Sequence, residues 1–181
     1  MNIRSRTDKS RHIYLKFDIK DLGSANIESV VLEMTNAQWT QEPPEGAKTG
    51  GDESAVVVSL DPESWDQETL TFLSAPPFDE VNNKIGEYIQ EGPMGYLERV
   101  KIDIDPSYIK GNGLYSFALI GTVGEDDSNF FATRNEEFGE EYGPALVITY
   151  TAGGNTLYII LGVIAVIVIA GAAFFAMKKK A

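Results

Sequence analysis

The sequence predicts an all-β fold, a jelly-roll β-sandwich, followed by a single C-terminal transmembrane α-helix. Three observations carry that expectation. Apolar and polar residues alternate in short runs between residues 11 and 151, the mark of strands with one buried face. Gly, Pro and Asn-Gly steps punctuate these runs, as the turns of a sandwich do. Beyond residue 156 the pattern gives way to an uncharged apolar run that ends in three lysines, long enough to cross a bilayer.

The elements follow in order. In RHIYLKFDI, Ile13, Leu15, Phe17 and Ile19 fall on one face, and His12, Tyr14, Lys16 and Asp18 on the other. Ile27–Thr35 and Ala55–Leu60 are the next apolar runs, and Thr69–Leu73 follows a turn at Asp61-Pro62. Residues 79–90 (DEVNNKIGEYIQ) place Val81, Ile85, Tyr88 and Ile89 roughly on one side of a short helix. Val100, Ile102 and Ile104 alternate with charged residues until Asp105-Pro106 stops the strand. Gly111-Asn112-Gly113 turns the chain into Leu114–Val123, and Asn129–Arg134 and Ala145–Thr151 complete the set.

Residues 157–177 carry no charge and are followed by Lys178, Lys179 and Lys180. About 20 apolar residues at a rise of about 1.5 Å match a hydrocarbon core of about 30 Å. The division expected is thus a β ectodomain over 1–151, a linker over 152–156, a transmembrane helix over 157–177 and a basic cytoplasmic tail over 178–181. Lysines beside a span stay inside, which puts the β domain outside the cell membrane, with Tyr158 at the outer interface. Ala172 and Ala176 have the small-xxx-small spacing of helix contacts. An exported domain needs a leader, and the polar, basic residues 1–12 are not one. The expectation is a chain cut from a longer, prokaryotic and plausibly archaeal surface protein.

Composition excludes several function classes. With no cysteine and one histidine, His12, the chain holds neither a thiolate site nor a two-imidazole metal site. Net charge is −12, and ahead of the tail twelve basic residues face all 27 acidic ones. Such a surface repels nucleic acid. No nucleophile motif or phosphate-cradling Gly loop occurs, so the segment is read as non-catalytic.

The order of motifs is informative. RHIYLKFDI is followed by IESVVLEM, WDQETLTFLSAPP at 65–77, VKIDIDPSYIKGNGLYSFALIG at 100–121 and FFATRNEEFGEEYGPALVITY at 130–150. Over residues 3–150 this resembles the DNRLRE-domain family of carbohydrate-binding modules, related to disaggregatases. The resemblance implies a jelly-roll sandwich and non-catalytic binding of polysaccharide, acidic polysaccharide in some members. The chain departs from the pattern at Phe72, where relatives carry a second Trp, and at Thr133-Arg134-Asn135-Glu136. Relatives also carry a strand ahead of the position of Ile3, so the domain is expected to lack its first strand.

Sugar rings pack their CH faces on aromatics and offer hydroxyls to charged, planar side chains. The outward face His12, Tyr14 and Lys16, the preceding Arg4, Arg6, Lys9 and Arg11, and Arg134 form the one basic cluster of an acidic domain. A carboxylated sugar would need such a cluster. The rival account is an ordinary solvated strand face. Trp39, in a polar loop, is a second candidate platform, whereas Trp65 is expected to be core. Glu125, Asp126 and Asp127 offer oxygens to a structural calcium ion, although a charge run is more often simply solvated. Together these features predict a membrane-anchored cell-surface module that binds a polysaccharide or cell-surface glycan. The alternatives are an adhesion or surface-layer spacer without sugar affinity, and the anchoring end of a larger polysaccharide-degrading enzyme.

Overall fold

A computed structural model of the chain describes residues 2–3, 12–23, 25–37, 48–49, 51–71, 73–123, 128–129, 142–152, 155–162 and 166–170. Their elements are β1 (Asn2–Ile3), β2 (His12–Ile19), β3 (Asn26–Thr35), β4 (Lys48–Thr49), β5 (Glu53–Leu60), β6 (Lys84–Gln90) and β7 (Met94–Gly95). After these come β8 (Arg99–Ile104), a 3-10 turn (Pro106–Tyr108), β9 (Gly113–Val123), β10 (Ser128–Asn129), β11 (Ala145–Ala152), β12 (Asn155–Gly162) and β13 (Val166–Ala170). The fold is all-β, as the alternation of the sequence requires.

Nine strands form one antiparallel sheet in the order β13-β12-β11-β3-β8-β6-β5-β9-β2. Two short ladders, β1–β10 and β4–β7, are not hydrogen-bonded into it. The nine-stranded sheet has a seam. β6 meets β8 at the single pair Gly86↔Ile104, reinforced by the Asp105 N–H donating to the Ile85 carbonyl at 2.7 Å. A side chain cannot fit there, because a Cβ on Gly86 would stand 2.6 Å from the Asp103 carbonyl oxygen. The sheet curls about this seam, and both halves feed one apolar cluster. Ile13, Leu15, Phe17 and Ile19 of β2 enter it from one end, and Leu146, Ile148 and Tyr150 of β11 from the other half. A curled sheet closed over one core is the economy of a β-sandwich.

Inward residues of β2 are buried at every second position, as its alternation demands. Aromatic packing fixes the middle of the core. Phe117 is fully buried, with ring centroids 5.6 Å from Phe17 and 5.5 Å from Tyr108. At one end Asn112 ties two turns together, its side-chain oxygen accepting from the Leu22 N–H at 2.8 Å and the Gly23 N–H at 3.2 Å.

Four expectations need correction or limits. Residues 69–71 and 73 form turns rather than a strand, because Thr69, Thr71 and Ser74 satisfy one another locally. The Thr71 N–H donates to Ser74 Oγ at 2.8 Å, and Ser74 Oγ donates to the Thr69 carbonyl at 3.0 Å. Residues 84–90 form strand β6, not the end of a helix, since they pair with β5 from Glu53↔Gln90 to Val58↔Lys84. Asp79 holds the turn before it, its carboxylate accepting from the Val81 and Asn82 N–H groups. Of the strand expected over 129–134, Ser128–Asn129 pairs with β1, and residues 130–141 lie outside the described residues.

The fourth concerns the expected transmembrane helix over 157–177. Residues 155–162 and 166–170 lie in strands, and residues 163–165 and 171–181 lie outside the described residues. Among the described residues no helix is long and apolar enough to cross a membrane. Two causes favour the strand. β12 is rich in β-branched residues, which suit a pleated surface, and it covers an edge of β11 that would otherwise be open. It pairs with β11 from Ala145↔Gly162 to Ala152↔Asn155. Ile159 is fully buried there, and Tyr158 faces out.

Candidate functional site

The outer face of β2 was expected to be open, but a loop covers it. On that face Lys16, Tyr14 and His12 pair with Ser116, Ala118 and Ile120 of β9, and these in turn adjoin Leu60, Val58 and Val56 of β5. Ala118 and Ser116 are small and sit between longer neighbours, which leaves a depression. Residues 61–71 and 73–83 cross it. They close a second apolar cluster of Val56, Val58, Leu60, Ala118 and Ile120, against which Tyr14, Trp65 and Phe78 pack.

Trp65 fastens the loop. Its indole Nε1–H donates to Ser116 Oγ at 2.8 Å, while Ser116 Oγ donates to the Leu15 carbonyl at 3.3 Å. Lys16 Nζ donates to the Trp65 carbonyl at 2.8 Å and stands 4.5 Å from the centroid of the indole ring, within the range of a cation–π contact. Tyr14 meets the same ring edge-on, with centroids 5.8 Å apart. Farther along β2, His12 meets Phe78 edge-on at 5.4 Å.

Burial tunes the titrating groups under the loop. Desolvation holds the His12 imidazole below its usual value, with the Glu80 carboxylate acting weakly the other way. Its Nδ1 is buried and has no hydrogen-bond partner among the described residues. Burial also pushes the Tyr14 hydroxyl up. In the loop, hydrogen bonds from Asn82 and Val81 hold the Asp79 carboxyl below the usual carboxylate range.

Between β2 and residues 62–74 lies a cleft of about 430 Å³, with Lys16, Glu63, Trp65, Asp66, Thr69 and Ser74 among its lining. Local turns hold its rim. Asp61 Oδ1 accepts from the Glu63 N–H at 2.9 Å, and Asp66 Oδ1 accepts from the Glu68 N–H at 2.8 Å. The cleft therefore offers carboxylate acceptors, hydroxyls that both donate and accept, and one aromatic ring, the functional groups that a polyol can use.

The expected site is placed only in part. His12, Tyr14 and Lys16 share one strand face under the loop, and the structure gathers Tyr14 and Lys16 around Trp65. Arg4, Arg6, Arg11, Trp39 and Arg134 lie outside the described residues, as do Glu125, Asp126 and Asp127 of the calcium expectation. Among the described residues no group of His, Asp and Glu is arranged to hold a metal ion. Glu63, Asp66, Thr69 and Ser74 were absent from the sequence-based site. Their only signal is turn chemistry, Asp-Pro at 61–62 and the Ser and Thr residues that follow. No family model matches the chain, and no curated protein or solved structure matches it either.

Proposed function

We propose that this chain is a non-catalytic carbohydrate-binding module of the cell surface, and that the glycan lies in the cleft between β2 and the 61–83 loop. The observation that carries the reading is the cleft itself: an aromatic ring, an ammonium, two carboxylates and three hydroxyls around about 430 Å³. Pockets for small ligands fall in a range of about 300–1,000 Å³. The motif order shared with DNRLRE domains, and the jelly-roll form of sandwich that it implies, support the same reading. The uncharged segment 157–177 with its three lysines supports attachment to a membrane, with the β domain outside.

One observation favours a second reading. The Trp65 ring already serves Tyr14, Lys16 and Ser116, as it would in a spacer domain whose loop merely seals an apolar cluster. A glycan array probed with the full chain in a sugar-free detergent separates the two. The lectin reading expects retention that falls several-fold in Glu63→Ala and Thr69→Ala, both exposed positions, with unchanged melting temperature. Retention by no glycan on the array overturns it in favour of the spacer.

A further inference from the structure

The one basic cluster of the sequence suggested a carboxylated sugar, yet the charges that line the cleft run the other way. Lys16 is the single cation among its lining residues, which also include the carboxylates Glu63 and Asp66. The ammonium is also directed inward. It donates to the Trp65 carbonyl at 2.8 Å and lies over the indole ring at 4.5 Å, so its charge is turned toward the protein's own loop. The rim segment 61–68 (DPESWDQE) adds Asp61 and Glu68, both exposed, and contains no basic residue.

Hydrogen-bond chemistry points the same way. An ionised carboxylate only accepts, so the ligand must donate to Glu63 and Asp66. Adjacent hydroxyls of a sugar ring donate readily. A uronate carboxylate donates nothing and brings a like charge to a negative rim, which disfavours association. The Thr69 hydroxyl tolerates either partner and does not select, while the Ser74 hydroxyl gives its proton to the Thr69 carbonyl and can only accept from a ligand.

We propose that the cleft selects uncharged, hydroxyl-rich sugar units and excludes uronic-acid units. The inference rests on the reading that the cleft holds sugar at all. Affinity electrophoresis of the full chain in a sugar-free detergent tests it, through gels carrying uncharged polymers (glucan, mannan, galactan) or uronate polymers (polygalacturonate, alginate). At low salt the expected result is retardation by at least one uncharged polymer, with uronate polymers at least about tenfold weaker. The double variant Glu63→Gln/Asp66→Asn keeps the shape and removes both charges. It should narrow that ratio by raising uronate retardation, which a purely structural role for these residues would not do. Uronate polymers that retard the wild type as strongly as uncharged ones overturn the inference and leave the sugar reading standing. A ratio unchanged in the double variant overturns it too. Retardation by no polymer removes the inference and the sugar reading together.

Discussion

Trp65→Phe is the sharpest test of how the loop is held. The substitution keeps an aromatic ring against Tyr14 and removes the indole N–H that donates to Ser116 Oγ at 2.8 Å. Ser116 is fully buried. It keeps its own donation to the Leu15 carbonyl and loses the donor that the loop supplies to it. One net hydrogen bond plus a buried acceptor left without its partner costs about 1–2 kcal/mol. For a chain of this size that lowers the melting temperature by about 2–8 °C. The loss should also be local. Amide exchange over residues 61–75 should speed up, while the strands of the main cluster keep their protection. Ser116→Ala removes the other partner, so the double variant should cost less than the two single changes added together. A melting temperature within about 1 °C of wild type, or strict additivity in the cycle, would refute the claim that this bond fastens the loop.

Three further outcomes follow from other parts of the molecule. Gly86→Ala puts a Cβ 2.6 Å from the Asp103 carbonyl, so the seam must shift at a cost of about 1–3 kcal/mol, read by chemical denaturation. Burial lowers the folded-state pKa of His12 below its unfolded value. Its contribution to stability is therefore present above about pH 6.5 and is lost as pH falls through the folded value. Thermal melts at about pH 7.5 and about pH 5 should show a drop that His12→Gln reduces, and an equal drop in the variant would remove His12 as its source. Ile159→Ala empties a fully buried position of β12 and should destabilise the full chain in solution by about 2–5 kcal/mol, whereas Tyr158→Ser on the outward side should have little effect. Equal melting curves for Ile159→Ala and wild type would mean that β12 does not hold the β11 edge.

Strands were legible where one face is buried along their whole length. β2, β8 and β11 each alternate, and each pairs in the register that buries the apolar set, whereas β9 is buried on both faces over residues 116–120, between the two apolar clusters. Legibility failed where local hydrogen bonding competes with the period. Thr69, Leu70, Thr71 and Phe72 alternate as a strand would, but Thr and Ser side chains bond the backbone next to them and hold a turn instead. Residues 79–90 mix both periods, and pairing with β5 decides the outcome. The C-terminal segment shows the same limit: β-branched residues serve a membrane helix and a strand alike, and the free edge of β11 favours the strand. The cleft was beyond pattern reading for a different reason. Lys16 and Trp65 are 49 residues apart in sequence, and no spacing rule brings a loop residue onto a chosen strand face.

The loop that closes the second apolar cluster is also the wall of the cleft, and this links stability to ligand affinity. Trp65 and Phe78 contribute to closure, while Glu63, Asp66 and Thr69 of the same segment line the cleft. A ligand that binds only the closed loop stabilises it by mass action, in proportion to the logarithm of ligand concentration over Kd. Conversely, any change that opens the loop lowers apparent affinity by the fraction of molecules left closed. A weakened Trp65–Ser116 bond should therefore reduce binding without touching a lining carboxylate, and saturating ligand should restore part of the lost protection over 61–75. His12 extends the coupling to pH, since it sits against Phe78 of the loop and burial there disfavours its protonation. Affinity should fall below about pH 6.5 for a sugar that carries no titrating group of its own.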